Sequence, residues 1–121
     1  MIKSHGVLQY GPDIRSAVII DQQIAAYYLN LVPKYYSAQP QMYPAHITVV
    51  RFGIEIPQNM SAWGKYSGSI IEFEYVPQVE MSRVYFYLNA FSDQIGDIRE
   101  ELGLPRFRFS DHYHITIGNM K

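Results

Sequence analysis

The sequence predicts an α+β domain laid out as two similar halves, with antiparallel sheets side by side, helices on their outer faces and one cleft between them. Three observations predict it. The tetrapeptide His46-Ile47-Thr48-Val49 returns near the C-terminus as His114-Ile115-Thr116-Ile117. Ahead of each copy lies a capped helical segment, and ahead of each helix a strand-like run, so residues 16 to 50 and 83 to 118 read as one strand, helix, loop, strand unit written twice. The 121 residues are enough for a single domain with a core and too few for two.

The elements follow in order. Gly6 to Tyr10 reads as a short strand closed by the turn signal Gly11-Pro12-Asp13. Ser16 to Ile20 is a brief apolar run rich in β-branched residues, the mark of a buried strand. Asp21 is a good N-cap, and Ile24, Tyr27, Tyr28 and Leu31 recur at helical spacing until Pro33 forbids continuation, which predicts a helix over 22 to 32. Residues 37 to 45 read as a loop leading into the first His-Thr strand, and the stretch after Gly53, through Pro57, Asn59 and Gly64, as irregular or with a minor strand of its own. From Ile71 to Tyr75 apolar and acidic residues alternate, as on a half-exposed antiparallel strand. Residues 83 to 89 form the clearest strand, with Val84, Phe86 and Leu88 on one face and Arg83, Tyr85 and Tyr87 on the other. Ser92 then caps a helix to 102, with Ile95, Ile98 and Leu102 on one side and Gly103 as its left-handed exit. His5 reads as part of a solvated terminus.

Composition excludes several function classes. A net charge of −1 argues against a protein that holds long duplex nucleic acid through many phosphates, and favours a small anionic ligand or a short segment of RNA. With no cysteine, disulfides and thiolate metal sites are out of reach, which suits the cytoplasm. Met1 to His5 leads into no long apolar stretch, so neither a signal peptide nor a membrane span is expected. Eleven tyrosines against one tryptophan supply rings that can fill a core edge or stack on a base.

The repeated motif carries the chemistry. Thr48 and Thr116 are the only threonines, and each stands two residues after a histidine. On a strand, residues i and i+2 share a face, so histidine and threonine point one way and Ile47, Val49, Ile115 and Ile117 the other. If the halves pack about an approximate two-fold axis, both histidines line one cleft, and Gly118 leaves room there for a ligand. Imidazole titrates near neutrality, so one ring can take a proton from an attacking oxygen while the other gives one to a leaving oxygen. The threonine hydroxyls can donate to non-bridging phosphate oxygens as charge builds up. The near-symmetry leaves open which ring is acid and which is base, with His46 as base and His114 as acid the preferred assignment. His112 shares the strand face of His114, so His46, His112 and His114 form an alternative zinc triad.

Ala45-His46-Ile47-Thr48-Val49-Val50-Arg51-Phe52-Gly53 and Asp111-His112-Tyr113-His114-Ile115-Thr116-Ile117-Gly118 resemble the two signature motifs of the 2H phosphoesterase superfamily. The resemblance runs from about Ser16 to the end. It implies a two-lobed, pseudo-two-fold α+β fold, catalytic His46, His114, Thr48 and Thr116, and neither metal nor cofactor. Members similar in motif act on RNA 2′,3′-cyclic phosphates, ADP-ribose 1″,2″-cyclic phosphate, 2′,5′-oligoadenylates and, in phage anti-CBASS proteins, cyclic oligonucleotide signals. The implied function is a monomeric phosphodiesterase acting on a nucleotide or a short or cyclic oligonucleotide, in the cytoplasm or, for a phage protein, that of the host. The alternative is a module that captures a nucleotide without turning it over. Arg106, Arg108, Tyr113 and Tyr85 are the candidate substrate-binding residues. Arg106 and Arg108, interleaved with Phe107 and Phe109, either bring cations and rings to a nucleotide or form an ordinary edge strand with its charges outward.

Overall fold

Alternating apolar residues dominate the chain, and in the computed structural model, which describes residues 1–108 and 110–120, they build a closed barrel. The elements in chain order are β1 (Ile2–Tyr10), β2 (Ser16–Ile19), α1 (Gln22–Asn30), β3 (Ala38–Gln39), β4 (His46–Val50), β5 (Ile70–Tyr75), β6 (Glu80–Met81), β7 (Tyr85–Phe91), α2 (Asp93–Glu101) and β8 (Tyr113–Met120). All pairings are antiparallel, in the order β3-β8-β4-β2-β1-β5-β7-β6, and β7 also pairs with β8. That last pairing closes β8, β4, β2, β1, β5 and β7 into a six-stranded barrel, to which the two-residue strands β3 and β6 are added at the edges.

The expected two-lobed α+β fold, with separate sheets, outer helices and a cleft between lobes, is therefore corrected. Two junctions make the difference. β1 is a full strand rather than a short one, and from Ile2 to Val7 it pairs residue for residue with β5, joining the halves on one side. On the other, Ile47 of β4 stands opposite Ile115 of β8. Closure leaves no long edge strand unpaired. His5 lies on β1 opposite Glu72, exposed on a strand and not on a loose terminus.

Inside the barrel lie Leu8, Val18, Ile47, Val49, Ile71, Phe73, Leu88 and Ile115, all nearly or wholly buried. The helices pack onto this interior instead of the outer faces. Tyr28 of α1 meets Tyr75 of β5 edge to face at 5.9 Å, while Ile95, Ile98 and Leu102 join the same core from α2. The strand ends they touch place them at opposite ends of the barrel. α1 follows β2 and packs on the C-terminal part of β8, whereas α2 follows β7 and is held to the start of β5. There Ser92 Oγ donates to the Glu72 carbonyl at 2.7 Å and accepts from Ile95 N–H, and Gln94 Oε1 accepts from Glu72 N–H.

Both caps fall where the sequence puts them. Asp21 accepts from Gln23 N–H, Ser92 caps α2, and Gly103 leaves that helix at φ 79°. The helices end a residue or two early, at Asn30 and Glu101. No helix among the described residues is long and apolar enough to cross a membrane.

α2 is tied to β4 by one buried charge. Arg99, 3 % exposed, forks onto Glu55 with Nη1 and Nη2 at 3.0 and 2.6 Å, and donates to the carbonyls of Val49 and Pro105. Burial pushes the Glu55 carboxyl up, but hydrogen bonds from Arg99 and the Arg51 N–H outweigh it, and the net is below the usual carboxylate range. The stability this pair contributes is present above the ordinary carboxylate pKa and lost as pH falls through the depressed one. Glu55→Ala is expected to cost about 3–5 kcal/mol in urea unfolding at neutral pH, because it strands a buried guanidinium. That deficit should shrink as the acid limit is approached; an equal loss at all pH values would mean that the carboxylate is not what Arg99 needs.

Candidate functional site

The chain is clamped just before the first motif. Gln22, at the start of α1, accepts from Ala45 N–H at 2.6 Å with Oε1 and donates from Nε2 to the carbonyls of Ala45 and Ile20. His46 therefore enters β4 in a set orientation. Its Nδ1–H donates to the Pro44 carbonyl at 2.8 Å, and since a carbonyl only accepts, Nδ1 carries a proton and that bond leaves Nε2 unused.

The β4–β8 pairing then brings the two motifs together. With Ile47 opposite Ile115, the positions one residue away on each strand face one another: His46 beside Thr116, and Thr48 beside His114. All four point away from the core, because Ile47, Val49, Ile115 and Ile117 point into it. The histidines are diagonal neighbours, roughly 7–8 Å apart at the backbone by sheet geometry. The strands on either side extend the face, with Ile19 beside His46 and Ala17 beside Thr48 on β2, and Tyr87 beside Thr116 and Asn89 beside His114 on β7.

The two rings differ in surroundings. His114 meets Tyr87 edge to face at 4.8 Å and His112 at 5.1 Å. His112 is held by Asp111, whose carboxylate lies 2.9 Å from Nδ1, and leans on Phe91. Desolvation by this packing pushes the His114 imidazole below the usual histidine range, and positive charge at His112 and Arg51 pushes it the same way. Both effects favour the neutral ring of His114. On the same face, Asn89 Oδ1 is buried with no hydrogen-bond partner among the described residues.

Other expected residues land elsewhere. Tyr113, expected to bind substrate, is 8 % exposed and belongs to the core; the two-residue period that turns His114 outward turns Tyr113 inward, where its hydroxyl donates to the Arg106 carbonyl. Arg106 is folded onto α2 by Asp93, Asp97 and Glu100, which commits its cation to the helix. Arg108 is half-buried, and its charge helps to lower the Glu55 carboxyl at the α2 end of the barrel. Phe109 lies outside the described residues. Tyr85 is exposed on the same face of β7 as Tyr87, one pleat beyond it. Gly118 does not open space for a ligand. A register shift in the β7–β8 pairing breaks the parity after Thr116, and a Cβ on Gly118 would stand 2.6 Å from Leu29 of α1 and 2.8 Å from the Gln39 carbonyl.

Three residues at the site escaped the sequence reading: Arg51, Tyr87 and Asn89. The alternation of β7 was a signal for the last two, but only the β7–β8 register tells which side chains stand beside the motif. Among the described residues no three His, Asp or Glu side chains are grouped to hold a metal ion, so the alternative zinc triad is not formed. Comparison with family models, with curated proteins and with solved structures finds no match to this chain.

Replacing His112 by Gln removes one of the charges beside His114. In an NMR titration the wild-type His114 midpoint should lie below the ordinary histidine range, and His112→Gln should move it up part of the way, since desolvation remains. An unmoved midpoint would show that His114 does not feel His112.

Proposed function

We propose that this protein is a metal-independent phosphodiesterase of the two-histidine type, acting on a ribonucleotide phosphodiester. The candidate substrates are a 2′,3′-cyclic phosphate, a 2′,5′- or 3′,5′-linked oligonucleotide, and a cyclic oligonucleotide. The observation that carries this reading is the β4–β8 register, which sets His46 against Thr116 and Thr48 against His114 on one exposed face. Likeness of the two His-Ile-Thr motifs to those of the 2H phosphoesterases supports the same chemistry. The barrel gives that likeness no support at the level of the two-lobed fold.

In the proposed reaction the phosphate lies between the rings, and each hydroxyl donates to a non-bridging oxygen. His114, whose neutral ring is favoured, takes the proton from the attacking 2′-hydroxyl or water. The new P–O bond forms as the bond to the leaving oxygen breaks. His46, its Nδ1–H already held by Pro44, acts as the acid and gives an Nε2 proton to that oxygen. This reverses the assignment preferred from sequence, on the ground that the surroundings of His114 disfavour its charge. The protein would work as a monomer on a soluble nucleotide of the cytoplasm.

Incubation with 2′,3′-cyclic nucleotides and with linear and cyclic dinucleotides, read by chromatography, tests the proposal. His46→Ala and His114→Ala should each lower the chemical rate by on the order of a hundredfold or more. The double variant should lose far less than the product, since the pair acts as a unit. Thr48→Ala and Thr116→Ala should cost on the order of tenfold each, as befits a neutral hydrogen bond of about 0.5–1.5 kcal/mol. Binding without turnover of any of these would leave a capture module in place of an enzyme.

A further inference from the structure

Beside the motif face runs a groove of about 440 Å³, of which the reaction scheme uses only the side formed by His46 and Thr48. Its lining includes His46 and Thr48 at one side, Ala17 and Ile19 of β2, and Arg51 and Phe52 from the turn after β4. Ala17 and Ile19 are the side chains opposite Thr48 and His46, so the groove begins where a phosphate between the rings would end. The other flank of the face is filled. There the Tyr87 ring abuts His114, and Phe91 abuts His112.

Two features of the groove suit a nucleoside. Arg15 places its guanidinium carbon 4.6 Å from the centre of the Phe52 ring, while its Nη2 donates to Asp13 at 2.8 Å; Phe52 is nonetheless 56 % exposed. A ring with a cation on one side and open area remaining is a platform on which a base can stack. Arg51, next in the chain, is exposed, and its guanidinium forms no ion pair among the described residues; the Glu55 carboxylate holds only its backbone N–H. Arg51 lines the groove together with His46 and Thr48, and its charge also lowers the His114 imidazole, so it bears on a phosphate held there.

We infer that this groove is the nucleoside subsite of the protein, with the base stacked on Phe52 and the phosphate taken by Arg51 at its junction with His46 and Thr48. The inference rests on the proposed function for the place of the phosphate. With His46 as acid, the nucleoside in the groove carries the leaving oxygen. The substrate class is thereby narrowed to phosphodiesters whose leaving side bears a base, and esters with a small alkyl leaving group are poor substrates.

Calorimetric titration with adenosine 5′-monophosphate and with ribose 5-phosphate tests the subsite without turnover. The nucleotide should bind roughly tenfold more tightly or better, the gain expected for one base on one ring. Phe52→Leu, which keeps an apolar side chain at an exposed position, should erase that difference and leave ribose 5-phosphate unchanged. Arg51→Gln should weaken both ligands alike. Equal binding of the two ligands by the wild type, no binding of either, or a preference for the base that survives Phe52→Leu would overturn the subsite. If the nucleotide binds as described while no phosphodiester is cleaved, the subsite stands and the catalytic reading falls.

Discussion

The contact on which this structure depends is the pairing of Ile47 with Ile115 at the junction of β4 and β8. Both side chains are fully buried, and the pair sits where the two halves of the barrel meet. Because side chains alternate along a strand, putting these isoleucines inside puts His46, Thr48, His114 and Thr116 outside together. A slip of one residue would turn one motif into the core and the other into solvent. Core packing and assembly of the site are thus one constraint, and the hydrophobic effect enforces both.

The rest of the molecule holds that junction in place. Gln22 clamps the backbone of Ala45 at the entry to β4, and Arg99 binds the Val49 carbonyl near its exit. β4 is therefore gripped at one end by α1 and at the other by α2. β8 is flanked by β7 over most of its length, and the missing side chain of Gly118 lets α1 and β3 close over its end. Neither His-Thr strand is an edge that can fray, which is what a pair of proton-transfer groups needs from its scaffold.

The motif is symmetric in sequence but asymmetric in its surroundings. His46 has a carbonyl on Nδ1 and an open groove beside it, whereas His114 is crowded by Tyr87 and a second histidine. Nothing within the four-residue motif distinguishes the two rings. The difference comes from Pro44, two positions before one histidine, and His112, two positions before the other, and from which neighbouring strand supplies a bulky ring.

Local rules were enough to read much of this chain. The N-caps Asp21 and Ser92, the exit at Gly103, the alternation of β5 and β7 and the outward pairing of histidine with threonine all follow from the period of two, the period of 3.6 and the chemistry of helix ends. Those rules act within a few residues, so they show in the sequence. Which strands neighbour one another does not, because pairing between Ile2–Val7 and β5, or between β4 and β8, is decided by how apolar faces meet across tens of residues. Tertiary structure alone closed one barrel where two sheets were expected, turned the helices onto its interior and committed Arg106 to α2. It also brought Arg51, Tyr87 and Asn89 to the site. The sequence by itself determined that two histidines and two threonines would face the same way, and burial of the isoleucines between them decided that they would face it together.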